Sequence, residues 1–213
     1  ARAAGILTAI DGAHAPGQID LDLEAIGADF YCANCHKWLC SPKGAGFIYA
    51  RPEAQDLLAP LIISWGYKAY RPGPSLFLDH FERLGTGDPS AYLSVPAAIE
   101  FQREHDWPAV RASCHALANG ASERIGKLTD LPQLSPNTTD WWSQMRTVPL
   151  PPVDGGKLHD RLWDEYRIEI PVAGAFGRPG VRISVQAYNT QEDLDRLVEA
   201  VTVLLPEVLE EPA

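Results

Sequence analysis

Asp11-Gly12-Ala13-His14 and, further along, Asn34-Cys35-His36-Lys37-Trp38 are the stretches that decide the reading of this chain. The apolar run Ala4-Gly5-Ile6-Leu7-Thr8-Ala9-Ile10 stops at the carboxylate of Asp11. A second run, Ala28-Asp29-Phe30-Tyr31-Cys32, stops just before Lys37, and the short segment from Ile19 to Ile26 between them is helix-compatible. Strand, connection and strand within so few residues predict neighbouring strands of one α/β sheet. In such sheets ligands bind at the strand ends.

A lysine and a carboxylate at neighbouring strand ends are what a pyridoxal phosphate site needs: the lysine forms a Schiff base and the carboxylate partners the pyridinium nitrogen. Working outward, Asp11-Gly12-Ala13-His14-Ala15-Pro16-Gly17-Gln18-Ile19, Asn34 to Trp38 and Pro42-Lys43-Gly44-Ala45-Gly46-Phe47 together resemble the core of class V aminotransferase-type enzymes. Within that family the chain is most similar to the isopenicillin N epimerase-like branch. Gly85-Thr86-Gly87-Asp88-Pro89-Ser90-Ala91 and the stretch from Val181 to Thr190 continue the resemblance in the same order along nearly the whole chain.

The resemblance implies a fold-type I PLP-dependent transferase-like α/β fold. Residues 1–128 are then the C-terminal part of the large PLP-binding domain, and 129–213 a small α+β C-terminal domain. It makes Lys37 the catalytic Schiff-base lysine, which moves a proton at the substrate Cα once the substrate amine has displaced it. Asp11 pairs with the pyridine nitrogen. His14 reaches the phenolic oxygen or packs beside the ring. Asn34 and His36 contact the cofactor phosphate, and Thr86 reaches the phosphate of a neighbouring subunit. Arg182, on an otherwise apolar strand, forks the substrate carboxylate, a task that suits a planar guanidinium better than an ammonium. Family members carry roughly as much chain again before the Asp11 strand. The expected partners are therefore an amino-acid substrate, the N-terminal half of the same enzyme (on the same or a nicked chain) and a second copy in a homodimer.

Composition bounds the rest. The 213 residues are 46% hydrophobic and 22% charged, an ordinary globular balance, with a formal net charge of −10 that argues against nucleic acid and anionic membranes as partners. No apolar run approaches the ~20 residues of a membrane span. The N-terminus lacks the layout of a secretory signal, so a cytoplasmic location is expected. Cys32-Ala33-Asn34-Cys35-His36 has the spacing of c-type haem attachment, but that chemistry wants an exported and usually small helical protein. Zinc on Cys32, Cys35, Cys40 and His36 lacks a second pair to close a tetrahedron. No metal is expected, and the cysteines read as packing residues.

Beyond the core, Gly46–Ala50 predicts a strand, 51–59 a short helix, 60–90 an irregular functional or interfacial stretch, and Ala91–Arg103 and Pro108–Leu128 two helices. Met145–Leu150, Ile168–Val172 and Val181–Val185 predict strands, Lys157–Glu165 a helix, and Thr190 the N-cap of the last helix. The core motif does not separate the family's reactions, because all share one first intermediate. Action at the Cα of an amino acid, epimerase-like, is the leading expectation. A C–S lyase or aminotransferase is the second enzymatic reading, and a noncatalytic fragment or interaction module the rival from another class. A desulfurase is disfavoured, because residues 130–181 hold no cysteine and Cys114 falls in a predicted helix.

Overall fold

The computed structural model describes residues 1–172 and 179–210. The chain divides into two compact units, Ala1–Glu104 and His105–Ala213. The first is built on a three-stranded sheet in the order β1 (Ala9–Asp11), β2 (Phe30–Asn34), β3 (Gly46–Ala50). β1 and β2 are parallel, with Asp11 opposite Cys32, and β3 runs antiparallel to β2, with Gly46 opposite Asn34. The predicted neighbours are therefore neighbours in fact. The connection between them holds α1 (Leu23–Ile26), started by the Asp22 side chain accepting from the Ala25 amide.

The first predicted strand is shorter than expected. Arg2–Ala4 coils into a 3-10 turn, and the Thr8 amide donates to Asp29 Oδ2 (2.8 Å) instead of to a strand. Asp29 is only 2% exposed; it also accepts from Thr8 Oγ1 and forms an ion pair with Arg51. Those hydrogen bonds, the Arg51 one foremost, hold its carboxyl below the usual aspartate range. The residue before β1 and the residue after β3 are tied together by this one carboxylate.

Pro52–Leu57 is a 3-10 turn, α2 spans Leu76–Glu82, and the helix expected at 91–103 is two, α3 (Ser90–Leu93) and α4 (Val95–Glu104). Pro96 explains the break, since it has no N–H to donate to the carbonyl of Tyr92. α4 lays Val95 and Ala98 against a small cluster of Cys35, Leu39 and Ala45.

The second unit opens with α5 (Trp107–Thr129) and continues with β4 (Met145–Pro149), α6 (Gly155–Tyr166), β5 (Gly180–Ser184) and α7 (Gln191–Leu204). α5 lies wholly in this unit and gives Cys114, Ala118, Ala121 and Ile125 to its core. β4 and β5 pair antiparallel, Val148 opposite Val181. The predicted strand at 168–172 contributes only a bridge at Val172 and the Pro171 carbonyl, which accepts from the Arg182 amide at 3.0 Å. Pro171 has no N–H for a ladder. Thr190 does cap α7, in a reciprocal capping box with Asp193. Among the described residues no helix is long and apolar enough to cross a membrane.

Candidate active site

Parallel pairing brings the C-terminal ends of β1 and β2 side by side, and the residues that follow each strand build the site. After β1 the Gly12 amide donates to the Cys32 carbonyl at 2.8 Å, and Asp11 Oδ1 accepts from the Ala13 amide at 2.9 Å. The turn leaves Asp11 exposed. Gly12 has no room for a side chain: a Cβ would fall 1.9 Å from the Tyr31 hydroxyl. Gly17, at φ +89°, lies so close to the Trp38 carbonyl that a Cβ would come within 2.4 Å of it. Gly17 lets the His14 loop close on the Lys37 loop, and Gly12 lets the same turn close on Tyr31 of β2.

After β2 the chain turns sharply. The Cys35 amide donates to the Ala45 carbonyl (3.0 Å) and the Ser41 amide to the Cys35 carbonyl (3.2 Å). His36 Nδ1 sits 2.9 Å from the Ala45 carbonyl; the oxygen only accepts, so Nδ1 carries the proton. Lys37 is exposed, and its Nζ lies 3.4 Å from His14 Nε2. Trp38 is buried; its indole N–H donates to His14 Nδ1 at 3.0 Å, and its carbonyl accepts from Gln102 Nε2 at 3.0 Å. His14 is fixed from behind by Gln18, whose Nε2 donates to the His14 carbonyl at 2.8 Å.

Of the residues singled out in the sequence, His14 and Lys37 meet directly, Asp11 ends the neighbouring strand, and Asn34 and His36 lead into Lys37, both half-buried. Thr86 is exposed in the turn after Gly85, and among the described residues no hydrogen bond joins it to Lys37, Asp11 or His14. Arg182 belongs to the second unit. Val181 and Ile183 turn into the core, and Arg182, between them on β5, faces the other way and is exposed. It lines a cavity of about 290 Å³ with Arg167, Arg196, Asn189 and Asp193, and makes no ion pair among the described residues. Of its carboxylates, Asp193 is engaged in the capping box and also feels the charge of Arg196, and Glu169 pairs with His159 at 3.5 Å.

Sequence reasoning gave no role to Trp38 or Gln102. The Trp38 indole has no signature beyond its place in the motif, and Gln102 is 64 residues from its partner. Burial pushes the thiols of Cys35 and Cys114 up, which suits packing and not nucleophilic work. Among the described residues no group of three or more His, Cys, Asp or Glu is placed to hold a metal ion.

Residues 1–197 match the family described as aminotransferase class-V. The isopenicillin N epimerase of Streptomyces clavuligerus is 38% identical over 218 residues, covering 97% of this chain and 55% of that protein. A probable chloroplastic L-cysteine desulfhydrase of Arabidopsis thaliana is 31% identical over 221 residues, covering 92% and 44%. Among solved structures, an apo cysteine desulfurase from Thermococcus onnurineus NA1 superposes with a TM-score of 0.77 at 19% identity, covering 97% of this chain and 54% of that one. The chain thus spans about half the length of the relatives it matches.

Proposed function

Because the chain belongs to the aminotransferase class V family, we propose that it is the C-terminal half of a pyridoxal phosphate enzyme acting at the Cα of an amino acid, isopenicillin N epimerase-like. The observation that carries this reading is the meeting of Lys37 with His14 at the end of the sheet where β1 delivers Asp11. The donor set fits the cofactor: an exposed amine, an exposed carboxylate for a ring nitrogen, and polar Asn34 and His36 beside the amine for a phosphate. When bound, pyridoxal phosphate supplies a sink for the electron pair left at the substrate Cα.

The protein's own groups do the rest. Asp11 holds the ring nitrogen's proton. Lys37 would hold the cofactor through its amine and, once released, would carry a proton to or from one face of the substrate Cα. His14 fixes where the Lys37 amine points. Arg182 clasps the substrate carboxylate with two parallel N–H donors, and its exposed guanidinium, in no ion pair among the described residues, supports that role.

The domain reading follows the family pattern, with residues 1–128 completing a large cofactor-binding domain and 129–213 forming the small one. The N-terminal half, on the same or a nicked chain, supplies the remaining strands. The active species is a cytoplasmic homodimer in which Thr86 reaches the opposite site. The exposure of Leu61, Ile62, Ile63 and Trp65, at 98%, 66%, 60% and 77%, supports a subunit contact there. A C–S lyase is the second reading, favoured by the desulfhydrase relative.

Borohydride treatment of the full-length protein with pyridoxal phosphate tests the core of this reading. Peptide mapping is expected to find the cofactor fixed on Lys37; fixation on Lys43 or Lys68 overturns it. Epimerisation is then separated from C–S cleavage by following substrate chirality and sulfide release in parallel.

A further inference from the structure

Trp38 and His14 form a contact whose chemistry has only one consistent solution. An indole N–H donates and never accepts, so His14 Nδ1, 3.0 Å away, must accept. A neutral imidazole with an accepting Nδ1 carries its proton on Nε2. Nε2 in turn lies 3.4 Å from Lys37 Nζ. The Nε2–H is a donor, and an ammonium has donors only, so an ammonium there would set proton against proton. The contact is a hydrogen bond only when the amine nitrogen offers its lone pair.

The Trp38 and His14 members of this chain of bonds are held by the surrounding fold. Trp38 is buried, Gln102 holds its carbonyl, and Gly17 packs against the same carbonyl without room for a Cβ. The His14 carbonyl is held by Gln18. The indole is therefore aimed by the fold, and the tautomer of His14 is set before any ligand arrives.

We propose that Trp38 is a positioning residue that fixes His14 as its Nε2–H tautomer, so that His14 presents a donor to Lys37 and favours the amine with its lone pair available. This deepens the proposed function and rests on Lys37 being the nucleophile. The hydrogen bond orients the amine, and rotation about the outer side-chain bonds of Lys37 then turns the same lone pair toward an electrophilic carbon. The Nε2–H left behind is a donor for an anionic oxygen arriving at that place.

The test needs no cofactor. Full-length protein labelled with ¹⁵N-histidine, with His14 assigned by its loss in His14→Gln, reports the ring tautomer at neutral pH through long-range ¹H–¹⁵N correlations. The wild type is expected to show the Nε2–H form alone. Trp38→Phe, which keeps the aromatic bulk and removes the donor, is expected to shift His14 toward Nδ1–H. It should also slow acetylation of Lys37 in the apoprotein by roughly fivefold, the worth of about one hydrogen bond. An Nδ1–H or cationic His14 in the wild type overturns the proposal even if Trp38→Phe fails to fold. An unchanged tautomer and unchanged Lys37 labelling in a folded Trp38→Phe overturn it as well. Borohydride mapping to a lysine other than Lys37, with the tautomer as expected, would overturn the functional reading while leaving the Trp38–His14 assignment intact.

Discussion

The unit His105–Ala213 gathers Ile125, Val148, Leu158, Leu162, Val181, Ile183, Val201, Leu204 and their neighbours into one continuous buried cluster, whereas the largest buried cluster described in Ala1–Glu104 is Cys35, Leu39 and Ala45. Every residue of β1 is exposed, and among the described residues that strand has a partner on one side only. The difference teaches where each unit gets its stability and what it does with it. The second unit carries its own core and presents Arg182 on its surface. The first carries the lysine and the carboxylate open to solvent, with His14 and His36 half-buried beside them. A working site of this chemistry excludes water, so on the proposed reading the first unit is finished by additional protein that covers β1 and the apolar segment at 57–65.

The sharpest way to break this contrast is at Lys37. Lys37→Ala in the full-length protein is expected to lower turnover by roughly 10²–10⁴-fold or more, as expected for loss of a proton carrier that is also the nucleophile. Its circular dichroism spectrum and melting temperature should stay unchanged, because Lys37 is exposed. A large loss of stability would make the residue structural.

Leu158→Ala is the converse experiment. Leu158 is fully buried in the second unit's cluster, and its truncation is expected to cost about 2–5 kcal/mol in chemical denaturation. Hydrogen exchange should show the loss concentrated in α5, β4, β5 and α7, with the first unit protected as before. Equal deprotection of both units would dissolve the distinction between them.

Arg182→Lys probes the carboxylate-binding role proposed for the second unit's exposed arginine. The charge is kept and the fork is lost, so substrate affinity is expected to fall about 10-fold, a cost of about one strong charge-assisted hydrogen bond. Comparison of an amino acid with its decarboxylated amine reads this: wild type should discriminate between them more strongly than the variant.

The smallest effect is one of pH. Asp29 has its carboxyl held low by Arg51 and Thr8. Its contribution is therefore complete above the ordinary aspartate value of about 3.9 and is lost as pH falls through the lower folded value. Amides of β1 and β2 should lose protection in that acid range, and Asp29→Asn should flatten the dependence. Asp193, whose carboxyl is held low by the Thr190 amide, gives the second unit an acid sensitivity of the same sign. Asp29→Asn should leave that sensitivity untouched.

The sequence alone determined the pairing of the site's first two strands, the placement of Asp11 and Lys37 after neighbouring strands, the cap at Thr190, and the place of Arg182 on an otherwise apolar strand. Those features depend on local pattern: apolar runs, turn residues and a period of two along a strand. It overextended the first strand, merged α3 with α4 across Pro96, and drew a strand through Pro171. In each case the local pattern favoured an element whose backbone hydrogen bonds the chain could not supply. What only the tertiary structure decided is the set of contacts between residues far apart in sequence. Trp38 reaching His14, Gln102 reaching Trp38, Asp29 closing on Arg51 and Thr8, and the clearance that demands glycine at 12 and 17 depend on how loops approach in space. The identity of each residue permits such a contact, but its geometry is fixed by the packing of everything between.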